Sequence, residues 1–395
     1  MVNWSSMDDQ TSTATAGASR RTTATRTAPT ATATPTAPTP PADRTAAAPN
    51  PASGPAATTA EALVWLGGDR FDRQTLPIPD LADGESLVRL SAATVCGSDR
   101  HTVSGHRSGA CPSVLGHEGV GVIEATRGDL AVGERVVFAV TSGCGACENC
   151  RRGLSAKCAA VAKVGHEATD SGWALSGTYA SHILLSAGVA VAPVPAHVPD
   201  AVAATAGCAV ATVMAALDAA GELAGRRVLV NGLGMLGLAA VAAAKARGAA
   251  EVAAFDPAPD RRALAAAAGA DVLVTGDGDT PADVDVAIEL SGAQAGVRTC
   301  LDALGIGGTA VLVGSVSPGP HVTVDPEHIV RGWRTITGVH NYEPRHLTAA
   351  VDFLATAGSA LPWDDILGGP IGLTELPAEF AHPTPGLRTV VDLRR

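Results

Sequence analysis

The stretch RVLVNGLGMLGLAAVAAAKA, residues 227–246, decides the fold. It begins with an apolar strand pattern, continues with three glycines spaced G-x-G-x-x-G, and ends in an alanine-rich helical run. Gly232 permits a tight turn, Gly234 lets the backbone approach a pyrophosphate, and Gly237 lets the helix pack closely on the strand. Because a helix amino terminus stabilises an anion, the sequence predicts a dinucleotide-binding unit here.

An acidic residue closes the next predicted strand. Asp256 follows the apolar run 251–255, where a carboxylate can accept hydrogen bonds from both hydroxyls of an adenosine ribose. The same charge would repel a 2′-phosphate, so NAD is favoured over NADP. Arg261 and Arg262 lie close by and leave NADP open as an alternative. A glycine turn without any ligand is disfavoured because strand, glycines, helix and acid coincide.

The pattern of apolar residues and turns in the sequence changes near residue 201. Before it, short strand patterns separated by Gly, Asp and Pro predict an antiparallel, barrel-like region. After it, apolar runs alternate with alanine-rich helical stretches, which predicts a parallel sheet covered by helices. The predicted strands include 87–90, 120–123 and 135–140 in the first part, and 228–230, 251–255, 284–288 and 309–313 in the second.

The length of 395 residues suits two domains rather than one core. Residues 1–58 consist largely of Thr, Ala and Pro and are expected to be a disordered tail. A strand predicted at 390–393 suggests that the end of the chain returns to the first domain. We expect a catalytic domain at 59–205 with a cysteine lobe at 143–160, a dinucleotide domain at 206–338, and a returning segment at 339–395.

The composition narrows the class of protein. A net charge of -11 disfavours nucleic acid and anionic membranes as partners. The chain has no apolar run of membrane-spanning length and no signal-like stretch, so we expect a cytoplasmic protein that does not bind membranes. Aromatic residues make up only 3%, so the core should consist of small aliphatic side chains.

Four of the eight cysteines form the pattern C-x2-C-x2-C-x7-C: Cys144, Cys147, Cys150 and Cys158. Four thiolates so close together suit a closed tetrahedral zinc site with a role in folding. An iron–sulfur cluster is the alternative, although the spacing matches neither common ferredoxin pattern. A nucleic-acid-binding zinc ribbon is disfavoured because its cysteines usually form two separated pairs.

Three further fragments carry metal-ligand residue types. They are Cys96-Gly-Ser98-Asp99-Arg-His101, Gly116-His117-Glu118 and Cys208. Three protein ligands with one open position are typical of catalytic zinc. Taken singly, each fragment is also explained by an ordinary buried cysteine or histidine. The prediction of a catalytic zinc site therefore rests on their joint occurrence.

The motifs CGSDxH, GHExxG, the cysteine lobe and GLGxLG occur here in the order and spacing found in zinc-containing medium-chain alcohol and polyol dehydrogenases. The chain resembles this family over roughly residues 60 to 395. The resemblance implies a GroES-like barrel, a Rossmann domain, two zinc ions per chain and a zinc-dependent, NAD-linked alcohol dehydrogenase. It also implies a homodimer or homotetramer that acts on a small-molecule alcohol.

The resemblance further implies residue roles. Cys96, His117 and Cys208 correspond to the catalytic zinc ligands, although some polyol-type members have an acid at the third position. Glu118 would approach the metal during ligand exchange. The remaining roles implied are orientation of His117 by Asp99, ribose contacts by Asp256 and Arg261, and a pyrophosphate contact by Arg388.

The implied mechanism uses a proton relay. Zinc lowers the pKa of a bound oxygen, Ser98 takes the proton, and the cofactor ribose passes it to His101 while hydride goes to the nicotinamide. Ser98 is alternatively a helix N-cap, and His101 a solvated surface residue. A second triplet, Gly165-His166-Glu167, is interpreted as a loop near the substrate cleft, far from the ligand frame. Cys111 is expected to be buried, and Cys300 is unassigned.

The substrate is weakly encoded. Residues 338–346 are similar to a subgroup associated with phosphonate catabolism, which would let Arg331, Arg334 or Arg345 bind an anion. A solvated loop explains them equally well. Polyols, amino alcohols and phosphonate-bearing alcohols are therefore alternative substrates. A non-catalytic NAD-binding protein predicts damaged ligand positions, and a zinc-free quinone reductase predicts no cysteine lobe; neither pattern occurs in the sequence.

Overall fold

A computed structural model describes residues 57–276 and 279–394. The tail predicted at 1–58 lies outside the described residues except for its last two positions. The strands are β1 Thr59–Trp65, β2 Phe71–Pro77, β3 Ser86–Val95, β4 Ser113–Val114, β5 Gly119–Thr126, β6 Arg135–Ser142, β7 Ala162–Lys163, β8 His182–Leu185, β9 Val189–Pro193, β10 Arg227–Asn231, β11 Glu251–Phe255, β12 Val272–Val274, β13 Val284–Glu289, β14 Leu304–Leu312, β15 Thr335–Gly338, β16 Leu367–Gly372 and β17 Arg388–Asp392. The α-helices are α1 Gly97–Val103, α2 Glu148–Arg151, α3 Asp200–Ala203, α4 Ala209–Ala220, α5 Met235–Ala246, α6 Pro259–Ala267, α7 Gln294–Asp302, α8 Pro326–Gly332, α9 Pro344–Ala355, α10 Trp363–Ile366 and α11 Leu376–Ala381.

A six-stranded parallel sheet forms the Rossmann part of the fold. Its order is β12-β11-β10-β13-β14-β15, in which the first strand, β10, lies between the second and the fourth. This is the 3-2-1-4-5-6 arrangement of doubly wound dinucleotide-binding sheets. The predicted parallel sheet is confirmed, and ligands of such sheets bind at the carboxyl ends of the strands.

The second large sheet is a curled, GroES-like half-barrel. Its order is β16-β17-β3-β5-β6-β7, with β8 added on β3 and β9 on β6. The strand β17 pairs antiparallel with β3 so that Thr389 lies opposite Val95. This register brings Arg388 next to Cys96, although the two residues lie near opposite ends of the described sequence. A separate three-stranded sheet, β2-β1-β4, packs nearby.

The core consists of small aliphatic side chains, as the composition predicted. Alanine and valine dominate the largest cluster of buried residues, which includes most of α4 and α5. Small side chains let these two helices pack closely. Within the described residues no single helix is long and apolar enough to cross a membrane; one pair, Asp200–Gly207 and Ala209–Ala220, passes that test only together and is bent by 50°.

The backbone of the glycine loop at the start of α5 shows why glycine is needed in its sequence. Gly232 has φ +94°, a conformation that side chains with a Cβ rarely adopt. A Cβ on Gly237 would lie 2.0 Å from the carbonyl oxygen of Gly232, so strand and helix approach too closely for alanine. A Cβ on Gly234, in contrast, would meet no atom within 4 Å. The backbone at Gly234 therefore faces open space, where a ligand can approach.

The two glycines are expected to respond differently to alanine. Gly237→Ala should lower the free energy of unfolding by at least about 2 kcal/mol because the methyl group overlaps a backbone oxygen. Gly234→Ala should change it by less than about 1 kcal/mol. Denaturant unfolding of the two variants measures both values. Equal losses would contradict the packing role of Gly237.

Candidate metal centre and cofactor cleft

Three potential metal ligands converge from separate segments. Cys96 precedes α1, His117 precedes β5, and Cys208 precedes α4. The two sulfur atoms and a ring nitrogen lie within 4.8 Å of one another. Cys96 and His117 are buried, and Cys208 is partly buried. The structure thus brings together all three residues proposed from the sequence.

The donor set fits zinc. Two sulfurs and one imidazole nitrogen are ligands that zinc prefers, and three ligands leave one tetrahedral position open. A hydrogen bond from Cys208 and the nearby charge of Arg388 lower the pKa of the Cys96 thiol well below its usual range, although burial opposes this. The lowered pKa favours the thiolate form of Cys96, which is the form that binds metal.

Asp99 orients the histidine. Its Oδ1 lies 3.2 Å from Nδ1 of His117, within ion-pair distance although not aligned for a hydrogen bond. Its Oδ2 accepts hydrogen bonds from the amide of Cys96 at 3.0 Å and the hydroxyl of Tyr179 at 2.9 Å. Although burial opposes it, the charge of Asp99 raises the pKa of His117. Tyr179, which the sequence did not single out, completes this support.

Glu118 and Arg388 form a buried ion pair beside the ligands. Nε of Arg388 donates to Oε2 of Glu118 at 3.1 Å, and Nη2 lies 3.5 Å from the sulfur of Cys96. Glu118 also accepts from the hydroxyl of Thr94 and, at 3.2 Å, from the amide of Ala209. Burial raises the pKa of Glu118, and the charge of Arg388 opposes that shift. The predicted pyrophosphate contact of Arg388 stays a prediction, since its guanidinium group is engaged here.

The relay residues lie on α1. Ser98 is the second residue of this helix, and the N-cap is Cys96, so the N-cap interpretation of Ser98 was wrong. The Ser98 hydroxyl lies 3.3 Å from Nε2 of His117. His101 is exposed, and its ring centroid lies 5.9 Å from that of His106. An exposed His101 agrees with both interpretations made from the sequence.

Two sequence expectations need correction. His166 is not far from the ligand frame, because its ring centroid lies 5.3 Å from that of His117. Gly165, at φ +72°, makes this possible: a Cβ there would lie 2.1 Å from the oxygen of Gly116, so the two glycine backbones touch. Cys111 was expected to be buried but is exposed. The first misjudgement concerns a contact between segments distant in sequence.

The cysteine lobe forms a second compact sulfur cluster. The sulfur of Cys147 lies 3.5 Å from that of Cys150 and 3.9 Å from that of Cys158, close to the spacing of about 3.8 Å expected around tetrahedral zinc. All four sulfurs lie within 4.8 Å of one another. Backbone amides of Ala159 and Cys150 lower the pKa of Cys147 to about 6. The lobe therefore fits a closed structural metal site.

The carboxylate of Asp256 is tied to the glycine loop. Its Oδ2 accepts from the amide of Leu233 at 2.9 Å, and its Oδ1 accepts from the amide of Ala258 at 2.9 Å. Nη1 of Arg261 lies 3.4 Å from Oδ2, while the guanidinium group of Arg262 donates to the backbone oxygen of Asp256 at 2.6 Å. Oδ1, with a single donor, keeps a lone pair for a ribose hydroxyl, whereas Oδ2 already accepts from both Leu233 and Arg261.

The buried ion pair permits a quantitative test. Arg388→Met and Glu118→Gln should each lower the free energy of unfolding by about 3 to 5 kcal/mol, because each leaves an unpaired buried group. The double variant should lose at least about 1 kcal/mol less than the sum of the two. Denaturant unfolding of the wild type, the two single variants and the double variant measures this coupling. Strict additivity would show that the pair is not coupled.

Two family models match the chain. The model of the alcohol dehydrogenase GroES-like domain matches residues 82–196, and that of the zinc-binding dehydrogenase matches residues 236–356. Together they cover the half-barrel strands next to Cys96 and most of the Rossmann sheet.

Characterised relatives point the same way. The chain is 31% identical over 255 residues to L-idonate 5-dehydrogenase (NAD(P)(+)) of Escherichia coli K12, covering 60% of this chain and 71% of that protein. It is 29% identical over 334 residues to 5-exo-hydroxycamphor dehydrogenase of Pseudomonas putida, covering 78% and 91%. A solved alcohol dehydrogenase from Thermotoga maritima superposes with a TM-score of 0.78 at 25% identity, covering 85% and 99%. The chain therefore belongs to the zinc-containing medium-chain alcohol and polyol dehydrogenase family.

Proposed function

We propose that the protein transfers hydride between a primary or secondary alcohol, or the corresponding aldehyde or ketone, and NAD. The observation that carries this proposal is the convergence of Cys96, His117 and Cys208 in one largely buried cluster. Three ligands would leave one position of a tetrahedral metal for substrate. The Rossmann sheet and the open backbone at Gly234 support the cofactor half of the reaction.

Zinc held by these three residues would lower the pKa of a substrate oxygen, as it lowers that of water from about 15.7 to about 7. The protein's own groups handle the proton. Ser98 accepts it at Oγ, a role supported by the 3.3 Å distance to Nε2 of His117. His101 passes it to water, which its exposure supports. Asp99 fixes the ring of His117 throughout.

We further propose two zinc ions per chain, one catalytic and one in the cysteine lobe. The two clusters are separate in sequence and differ in chemistry. The lobe offers four sulfurs and no open position, so its ion would stabilise the fold. The other cluster offers three ligands, so its ion would take part in the reaction.

Elemental analysis combined with turnover tests both metals. Wild type should carry about two equivalents of zinc, and Cys96→Ala about one. In that variant, alcohol-dependent NAD reduction should fall by at least about 1,000-fold, because no other group lowers the pKa of an alcohol so far. Cys150→Ala, the matched control, should also lose one equivalent but mainly lower the melting temperature. A wild-type protein with a single equivalent, confined to the lobe, would refute the catalytic zinc.

The preference for NAD is proposed from Asp256. This carboxylate is buried beside the glycine loop and would face the 2′-phosphate of NADP with like charge. Arg261 and Arg262 work in the opposite direction, since their guanidinium groups lie against the same residue. Because the carboxylate of Asp256 is closer to the glycine loop than the two guanidinium groups are, we attribute the preference for NAD to Asp256.

Replacing the charge should shift this preference. Asp256→Asn keeps the size of the side chain and one acceptor oxygen but removes the repulsion of a phosphate. The ratio of kcat/KM for NADP over NAD should rise about tenfold or more, equivalent to about 1.4 kcal/mol. Steady-state kinetics with both cofactors and one alcohol measures the ratio. An unchanged ratio would mean that another group selects the cofactor.

A non-catalytic NAD-binding protein on the same fold is the alternative from another class. It would be expected to have lost ligands or their supporting groups, yet Cys96, His117, Cys208, Asp99 and Glu118 all lie together. No observation in the described residues favours it. Polyols, amino alcohols and phosphonate-bearing alcohols stay open as the particular substrate.

We also propose a homodimer or homotetramer. In support, β15 forms one edge of the parallel sheet, and large apolar side chains are exposed near it. Ile306 is 85% exposed and Trp333 is 84% exposed, which is unusual for such residues unless a partner covers them. A cytoplasmic location stays a prediction from the sequence.

A further inference from the structure

Cationic side chains gather beside the candidate metal centre of this acidic protein. Arg107 follows α1, Lys157 lies at the end of the cysteine lobe, and Lys163 ends β7. His166, three residues after Lys163, and His340, which follows β15, lie beside them. The chain as a whole carries a net charge of -11, so this concentration of positive charge stands out.

The ammonium group of Lys163 has no directly bonded counter-ion among the described residues, although the charge of Glu167 acts on it. Its side chain is partly buried, and its ammonium group makes no hydrogen bond or ion pair within the described part of the chain. The nearest acid, Glu167, accepts a hydrogen bond from the backbone amide of Lys163 at 2.8 Å. Among the residues that the structure describes, Arg107 likewise bonds only through its backbone amide, to the oxygen of His101 at 3.0 Å. Cations withdrawn from water without a partner are costly, so an external anion is the natural complement.

These groups act on one another electrostatically. Burial, followed by the charges of Arg107 and Lys157, lowers the pKa of Lys163, and Glu167 only partly opposes this. Burial and then the charges of Lys157, Lys163 and Arg107 lower the pKa of His340 to about 4. The geometry places the groups in pairs: the amide of His166 donates to the carbonyl oxygen of Lys163 at 3.1 Å, and Nζ of Lys157 lies 2.5 Å from Nδ1 of His340.

The cluster lies between the metal ligands and the cofactor cleft. On one side, the ring of His166 lies 5.3 Å from that of His117. On the other, Nζ of Lys157 lies 2.5 Å from Nδ1 of His340, and both line a cleft of about 430 Å³ at the carboxyl ends of β14 and β15. The ring of His166 thus links the metal ligands to the segment that carries Lys163, while Lys157 and His340 border the cleft.

The arginines suggested from the sequence are engaged elsewhere. Arg331 pairs with Glu327 at 3.1 Å, and Arg345 lies 4.0 Å from Asp218. Arg334 donates to two backbone oxygens, those of Leu304 and His328. Each of the three therefore has a partner of its own, and their binding of an anion stays a prediction from the sequence.

We propose that Arg107 and Lys163, with Lys157 on the cofactor side, form a subsite for an anionic group of the substrate. The preferred substrate is then an alcohol that carries a phosphonate, phosphate or carboxylate a few bonds from its hydroxyl group. This inference rests on the proposed dehydrogenase function for the alcohol, whereas the anion subsite itself can be tested without turnover.

The phosphates of the cofactor offer no competing explanation for Arg107 and Lys163. Its pyrophosphate is expected at the amino end of α5, next to Gly234. A 2′-phosphate, if present, would lie near Asp256 and Arg261. The cluster lies instead at β7, the end of the lobe and the turn after α1, next to His117.

Binding is tested first, with a probe that cannot react. Propylphosphonate has no hydroxyl group, and its binding to the zinc-loaded protein with NAD can be followed by phosphorus NMR. Lys163→Met and Arg107→Met should each weaken binding at least tenfold. Lys163→Arg should restore most of it because the charge is kept. Arg152→Met is the matched control: it removes an exposed lobe cation, 4.0 Å from Glu148, and should leave binding unchanged.

Turnover is compared next for 3-hydroxypropylphosphonate, 4-hydroxybutanoate and 1-butanol. Wild type should prefer at least one of the charged alcohols over 1-butanol by a factor of 100 or more, on the order of the effect of two desolvated charge contacts. The two charged probes distinguish a phosphonate or phosphate substrate from a carboxylate. Lys163→Met should reduce that preference at least tenfold, and Arg152→Met should not.

The outcomes separate the two proposals. If 1-butanol is oxidised as well as the charged alcohols and propylphosphonate does not bind, the anion subsite is refuted and the dehydrogenase function stands. If propylphosphonate binds through Lys163 and no alcohol is oxidised, the dehydrogenase function fails while the subsite stands. Binding that is equal in wild type and in both Met variants would also refute the subsite.

Discussion

The structure depends on the positive charge that compensates the negative charge buried around Cys96. Cys96, Asp99 and Glu118 are all withdrawn from water, and each is acidic. Arg388 supplies one positive charge directly, through contacts to Glu118 and the sulfur of Cys96. Without further positive charge the cluster would be unfavourable, because buried charges that are not paired cost several kcal/mol each. A divalent cation between the three ligands meets this need and explains why so many acids are tolerated here.

The surrounding elements can be understood as support for that cluster. Tyr179 and the amide of Cys96 hold Asp99, and Thr94 together with the amide of Ala209 holds Glu118. The half-barrel provides most of these groups, while Ala209 begins the first helix of the Rossmann part. The metal ligands and the cofactor cleft are therefore fixed relative to each other through hydrogen bonds as well as through packing.

The predictions from sequence succeeded where the chemistry is local. The glycine loop and the cysteine lobe lie within short segments, so residue type and spacing were sufficient to identify them. Sequence reasoning missed Tyr179, the neighbourhood of His166 and the position of Arg388, because each depends on pairing between segments far apart. The Arg388–Glu118 contact spans 270 residues, and no local pattern carries information of that range. The triplet at Gly165 offered a signal, since it repeats the motif around His117, but only the fold shows that the two glycines touch.

That long span also orders the assembly of the protein. Closing a loop of 270 residues in an unfolded chain costs more entropy than closing the short loops of the cysteine lobe. The four lobe sulfurs are joined by a short segment and need no such closure. The lobe can therefore assemble at a lower entropic cost than the cluster around Cys96, which is complete only once β17 has paired with β3.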